Sequence, residues 1–524
     1  MTKAKPAGPI ARVVGAVHRK AFGLPPGGVR YTVERGIRVP TADGAQLVTD
    51  LYAPVGEARG TVLIRSPYGR GLPESLFHGR AFADHGYQVV VQSVRGTGGS
   101  TGTFRPIAQE AADSRDTVAW LRQQPWFTGR LATVGGSYLG WTQWALLQDP
   151  PPELRASVVI VGPHDFSHAI RGTGSLALAD FLVWSANVRA LDQGGVRAIV
   201  AARRRVSAAL RERTPELAAA VALGSDATWF TDWLAHPDLD DAFWEHYNAT
   251  SALAVSKVPT LLIGGWHDVF VDQTLEQFRG LAERDIDVAM TIGPWTHLDT
   301  TVKASRVTDA EALAWFDQHV ADLGPARDAP VRAYVTGASQ WRTSQTWPPK
   351  TGDHTLRPHA SGLLDEEGGT GTVEFAYDPA DPTPSLGGRH MSAKAGRQDN
   401  RPLENRDDVV TFTSAPLDRP LDVIGAPQVE LRLDVTSAQP DVFVRLCDVD
   451  SRGRSWNVTE TFSRFDPAAG KLSLGSCAHR FQAGHRIRLQ VSGAAYPRFA
   501  RNPDPCHYTV DCAGSALHLP VSPE

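Results

Sequence analysis

Cysteine is scarce in this 524-residue chain: Cys447, Cys477, Cys506 and Cys512 are all there is, and all lie in its C-terminal part. None is paired as CxxC, which argues against a zinc site; buried thiols are the plain reading, with a Cys506–Cys512 bridge left open. Long apolar runs are also missing, since nothing approaches the roughly 20 residues a membrane helix needs. The first 28 residues, MTKAKPAGPIARVVGAVHRKAFGLPPGG, carry early lysines, but Arg12, His18, Arg19 and Lys20 interrupt any secretory apolar core. Residues 1–30 therefore read as a loose or amphipathic arm, and the protein as cytoplasmic. Basic excess is absent as well: 53 Lys and Arg stand against 57 Asp and Glu, for a net charge of −4. That balance offers no general footprint for nucleic acid or an anionic membrane, and the expected partner is a small molecule or peptide. No internal repeat and no low-complexity tract occurs. What remains, 42% hydrophobic and 21% charged, is ordinary globular composition. The chain is too long for one core, and about 150 residues per domain suggests about three units.

From Tyr31 to about Val161, short β-branched runs alternate with helical segments. The runs QLVTDLYAP, TVLIRSP, YQVVVQSV, LATVGG and ASVVIVG are continuous and apolar, and EAADSRDTVAWLRQQ between them has a helical face. That alternation predicts an α/β fold with a mainly parallel sheet over residues 31–163. Strands then disappear: residues 164–256 are Ala/Arg-rich and helical, then aromatic, and read as a helical cap inserted over a pocket. Strand character returns over 257–329 at VPTLLIGG and IDVAMTIGP, completing the sheet. Residues 330–524 change texture again. From VRAYVTG to SALHLPV they are short strands separated by turns, which predicts an antiparallel β-sandwich, with 350–405 as an irregular connection.

The stretch TVGGSYLGWTQWAL, from Thr133 to Leu146, places Ser137 between an apolar strand and a helix. A nucleophile elbow needs this: strand, small residues, a sharp turn, then a helix, so that the hydroxyl projects above the sheet. The usual G-x-S-x-G is not met, because Leu139 stands at the last glycine's position and Gly140 follows it. Alone, the motif reads equally as a tight strand-to-helix turn. A serine hydroxyl is a poor nucleophile and needs an imidazole base oriented by a carboxylate. Asp268 in LLIGGWHDVF and His297 in VAMTIGPWTHLDT each follow an apolar strand, in the chain order serine, acid, histidine. Loops at the carboxyl ends of parallel strands share one sheet edge, so the three side chains can converge there.

The segments GGSYLGWTQW, GGWHDVF and GPWTH, with SPYGR and VRGTGGSTG upstream, resemble the cocaine-esterase-like hydrolases, grouped with X-prolyl dipeptidyl-peptidases and α-amino-acid ester hydrolases. The resemblance runs from about residue 31 to the end. It implies an α/β-hydrolase core with a helical cap insertion and a C-terminal jelly-roll β-sandwich. It also implies Ser137 as nucleophile, His297 as general base and acid, and Asp268 as the imidazole's orienting partner. Tyr68 in SPYGR and the backbone N–H of Tyr138 would form the oxyanion hole. No cofactor and no metal ion are expected.

Other features have plainer readings. His267 with His164 and Asp165 matches no metal-ligand spacing. VRGTGGSTG lacks both the Walker ending and the full dinucleotide spacing, so it reads as a Gly-rich turn near the site's rim. Asn457 in NVT is a glycosylation sequon by pattern only. Trp141 and Trp144 read as core, whereas Trp184, Trp266 and Phe270 are expected to line an apolar acyl pocket. Recognition of an α-ammonium calls for carboxylates near that pocket. Val269, Phe270 and Val271 follow Asp268 here, with Asp272 the first acid after them, although Asp165 and Asp180 in the cap remain candidates. The expected activity is hydrolysis of a carboxylic ester, or an amide, with a neutral apolar or aromatic acyl group. An X-prolyl dipeptidyl-peptidase or amino-acid ester hydrolase is the alternative, and a catalytically inactive binding protein is the second; homo-oligomerisation is left open.

Overall fold

Eleven strands form one twisted sheet among the described residues, which are 5–6, 27–71, 79–194, 196–225, 227–467 and 470–523 of a computed structural model. They are β1 (Lys5–Pro6), β2 (Tyr31–Pro40), β3 (Gln46–Pro54), β4 (Thr61–Ser66), β5 (Gln88–Ser93) and β6 (Leu131–Gly136). β7 (Leu154–Ile160), β8 (Thr260–His267), β9 (Val288–Thr296), β10 (Val331–Val335) and β11 (Gln340–Ser344) complete the sheet. Their order is β1-β2-β3-β5-β4-β6-β7-β8-β9-β10-β11. Pairing is parallel from β5 through β10 and antiparallel at the two flanks. β4, β5 and β8 are buried at every position, as parallel strands covered on both faces require. The connections Glu110–Leu121, Tyr138–Leu147, Val271–Ala282 and Ser305–His319 are helices, and the carboxyl ends of β4, β6, β8 and β9 share one edge. The arm expected over residues 1–30 falls almost wholly outside the described residues.

Between β7 and β8 the described chain is helical, including Phe166–Arg171, Leu178–Gln193, Pro215–Leu223 and Thr228–Ala235. Local signals set these helices. Asp165 caps the first by accepting from the His168 N–H, and Thr214 caps another by accepting from Leu217 ahead of Pro215. Phe166, Phe181, Trp184, Trp233 and Tyr247 pack ring on ring beneath them.

After β11 the chain builds two further sheets, one of eight strands and one of four, with antiparallel pairing throughout their ladders. A second apolar cluster, with Phe412, Leu446, Phe481 and Leu517 among its members, fills them. The α/β-hydrolase core with a C-terminal β domain is therefore the fold. Two expectations need correction here. VRAYVTG does not open the sandwich: as β10 it pairs in parallel with β9, extending the core sheet past its last crossover helix. Nor is 350–405 irregular throughout. Gly352–Pro358 and Thr372–Tyr377 are strands because the long last strand, Cys506–Val521, supplies their partners despite the Gly- and Asp-rich composition. All four cysteines are buried free thiols. Cys506 and Cys512 lie on one extended strand, roughly 20 Å apart at its rise per residue, far beyond disulfide reach.

Candidate active site

Ser137 sits between β6 and the helix Tyr138–Leu147 with φ 58° and ψ −122°, a conformation L-residues rarely adopt. Such strain costs about 1–3 kcal/mol and is tolerated where surrounding contacts over-determine it. Here the Ser137 N–H donates to the Ile160 carbonyl at 2.9 Å, and its own carbonyl accepts from Gly140 and Trp141 at 2.8 and 3.1 Å. The altered glycine pattern has a steric cause. A Cβ on Gly140 would lie 2.6 Å from the Gly162 Cα, and one on Gly135 would lie 2.4 Å from the Leu139 Cβ. The turn thus needs glycine at 135 and 140, while Leu139 packs over Gly135.

At the same sheet edge, His297 Nε2 lies 2.9 Å from Ser137 Oγ, and His297 Nδ1 lies 2.6 Å from Asp268 Oδ1. Asp268 is fully buried, and its second oxygen accepts from the Phe270 N–H at 3.1 Å. A carboxylate facing Nδ1 holds the proton there and leaves Nε2 as the acceptor facing the hydroxyl. The Phe270 ring meets the imidazole in a T-shaped contact, with centroids 5.3 Å apart.

The two tyrosines expected at the oxyanion hole meet at Trp184. Tyr68 follows β4, and its N–H donates to Ser66 Oγ at 3.1 Å. Its phenol oxygen accepts from the Trp184 indole at 3.1 Å. Tyr138 is the first residue of the helix after Ser137, so its N–H is one of the first-turn donors with no intrahelical acceptor. Its side chain is locked underneath: the phenol donates to Glu110 Oε1 at 2.7 Å and accepts from the Ile107 N–H at 2.9 Å. Arg65 pairs with Glu110 at 2.8 Å and donates to Gln92 and Ser114. Burial raises the Glu110 carboxyl against the pull of Arg65, and burial with the Glu110 charge raises the Tyr138 phenol well above its ordinary value. This buried network escaped the sequence reading. Its one local signal was Arg65 inside an apolar strand run, because a buried guanidinium must find partners.

The expected pocket residues divide. Trp184 is half-buried beside both tyrosines, and Phe270 touches the imidazole. Trp266 is a correction: its indole donates to the Tyr334 carbonyl at 2.7 Å and its ring packs on Trp347, so it joins the strands after β9. β8 ends at His267, and the Asp268 N–H turns back to the Gly265 carbonyl at 2.9 Å, so strand alternation does not carry Trp266 onto the face of Asp268. Trp141 and Trp144 are buried. The VRGTGGSTG loop is a glycine turn in which a Cβ on Gly98 would press on Ser93 Oγ and approach the Gly69 Cα, next to Tyr68. Asn457 is 3% exposed and bonded to Gln398 and Gly396, unlike an accessible sequon.

Three acids were candidates for an ammonium. Asp165 is committed to the His168 N–H and to Asn248 at 3.0 Å. Asp272 pairs with Arg389 at 2.9 Å. Asp180 differs. One oxygen accepts from the Met391 N–H at 2.7 Å, and the other is buried with no partner among the described residues. Burial, opposed chiefly by Arg498, pushes its carboxyl up to about 6, and the charges of His297 and Asp268 also reach it. His164 and His267 are each pushed down to about 4 by burial. Among the described residues no three His, Cys, Asp or Glu side chains group as metal ligands, and no helix is long and apolar enough to cross a membrane.

Residues 43–299 match the X-Pro dipeptidyl-peptidase (S15) family, and residues 324–520 match the X-Pro dipeptidyl-peptidase C-terminal non-catalytic domain. A cocaine esterase of Rhodococcus sp. (strain MB1 Bresler) is 30% identical over 90% of this chain and 92% of its own length. An aminopeptidase structure from a marine sediment Thaumarchaeota archaeon superposes with a TM-score of 0.80 at 22% identity, covering 94% of this chain and 96% of that one. An α-amino acid ester hydrolase structure gives 0.79 at 22% identity, covering 94% and 97%. The two structures speak for the fold.

Proposed function

This chain belongs to the X-Pro dipeptidyl-peptidase (S15) and cocaine-esterase-like family of serine hydrolases, and on that premise we propose that it cleaves a carboxylic ester, with amides as slower substrates, through an acyl-enzyme on Ser137. The observation that carries the reading is the relay of 2.6 Å from Asp268 to His297 and 2.9 Å from His297 to Ser137. In the proposed cycle, Ser137 Oγ attacks the carbonyl carbon while His297 Nε2 takes its proton and Asp268 holds the imidazolium. The oxyanion forms against the Tyr68 phenol and the Tyr138 N–H, donors of a kind worth about 3–4 kcal/mol each when preorganised. His297 returns the proton to the leaving alcohol, and a water activated by the same imidazole releases the acid.

A neutral acyl group is supported by Val269, Phe270 and Val271 after the acid, and by the commitment of Asp165 and Asp272 to protein partners. The unpartnered oxygen of Asp180 favours a second reading, an ammonium-bearing peptide or amino-acid ester. Division into a core, a 164–256 cap and a C-terminal sandwich, and residence in the cytoplasm, belong to the same proposal. The test is a panel of neutral aryl esters, amino-acid esters and a dipeptidyl-prolyl anilide, with Ser137→Ala as control. Fastest turnover of a neutral aryl ester, abolished in the folded variant, is expected. Preference for the prolyl anilide would transfer the assignment to the peptidase reading. No turnover, together with no labelling by a fluorophosphonate, would leave the binding-protein reading.

A further inference from the structure

We infer that Trp184 is a positioning residue for the oxyanion hole, aligning both of its donors from one ring. The inference rests on the reading of Tyr68 and the Tyr138 N–H as those donors. Trp184 lies on the helix Leu178–Gln193, far along the chain from either tyrosine, yet it contacts each in a different way. Its indole N–H donates to the Tyr68 phenol oxygen at 3.1 Å. An indole nitrogen can only donate, so Tyr68 must accept at this contact, and the phenol's proton is directed elsewhere. The bond therefore sets the rotation of the hydroxyl as well as the position of its oxygen. The face of the same indole stacks on the Tyr138 ring, with centroids 6.0 Å apart and planes 11° from parallel.

The Tyr138 ring is already tied at its far end to Glu110 and the Ile107 N–H. Stacking from above then fixes the ring plane, and through it the first turn of the helix that carries the N–H. Trp184 is itself held: Trp233 stacks behind it at 6.3 Å and Phe166 meets it edge-on at 6.4 Å. A residue that only lined an acyl pocket would need the ring's apolar area and not its N–H. Here the N–H is used on one donor and the face on the other. The helical segment between β7 and β8 is thereby coupled to transition-state stabilisation.

A double-mutant cycle tests this. Trp184→Phe keeps an aromatic ring and removes the N–H; with a neutral aryl ester, kcat should fall about tenfold and KM should stay within about threefold, as for the loss of a hydrogen bond that orients a donor. In a Tyr68→Phe background the same change should alter kcat by less than about twofold, because the phenol it orients is gone. Equal losses in both backgrounds, or a change confined to KM and acyl-size preference, would overturn the inference while leaving the oxyanion reading intact. A Tyr68→Phe enzyme with undiminished kcat would instead remove the reading underneath, and the inference with it. If Trp184→Phe does not fold, benzothienylalanine at position 184 preserves the ring's shape without the N–H and reads the same cycle.

Discussion

Replacing Asp180 by asparagine should change how the protein's stability depends on pH. The Asp180 carboxyl is buried, receives one N–H from Met391 and lies within reach of the charges on Arg498, His297 and Asp268; the balance lifts it from 3.8 to about 6. Since the folded value lies above the unfolded one, the folded state holds this proton more tightly. The contribution is fully present below 3.8 and is lost as pH rises through about 6. A lift of that size amounts to roughly 3 kcal/mol in total, of which roughly 1 kcal/mol is lost between pH 5 and pH 8. Asparagine keeps the shape and an acceptor for Met391 but does not titrate. Urea unfolding of both proteins at pH 5 and pH 8 should show the wild type losing roughly 1 kcal/mol more than the variant on going to pH 8. Infrared difference spectra should show a protonated carboxyl in the wild type that disappears with a midpoint near 6 and is absent from Asp180→Asn. An identical pH response in the two proteins would refute the reasoning.

Asp268→Asn should leave circular dichroism unchanged and lower kcat for an aryl ester by about ten-thousandfold, because the amide favours the wrong imidazole tautomer; a loss under tenfold would argue against its role. Gly140→Ala should lower stability by about 2 kcal/mol in spite of alanine's better helix propensity, because the added Cβ meets the Gly162 backbone at 2.6 Å. A thermal midpoint equal to or above that of the wild type would show that the elbow can relax there.

The sheet and the three loops that bear Ser137, Asp268 and His297 are legible in the sequence because each rests on a local signal, an apolar run ending in a turn. Chain order then adds the fourth constraint that one loop alone lacks. Residues whose roles depend on distant partners are less legible. Arg65 and Glu110 read as an oddity in a strand and an ordinary helical acid until the fold pairs them at 2.8 Å. Asp180 looks like any acid in a helix's first turn, and only tertiary packing buries one of its oxygens without a partner among the described residues. Trp266 misleads because the strand ends at His267 and the chain turns at Asp268, so their spacing of two does not put both side chains on one face. β10 misleads because short β-branched runs look the same whether they close a parallel sheet or open a sandwich.

The most direct measurement is rapid-quench mass spectrometry of the enzyme turning over a slowly deacylating aryl ester. A burst of about one phenolate per chain, with the acyl mass on the peptide containing Ser137, is the outcome predicted here. Hydrolysis without a burst, or an acyl group carried by any residue other than Ser137, would contradict the account.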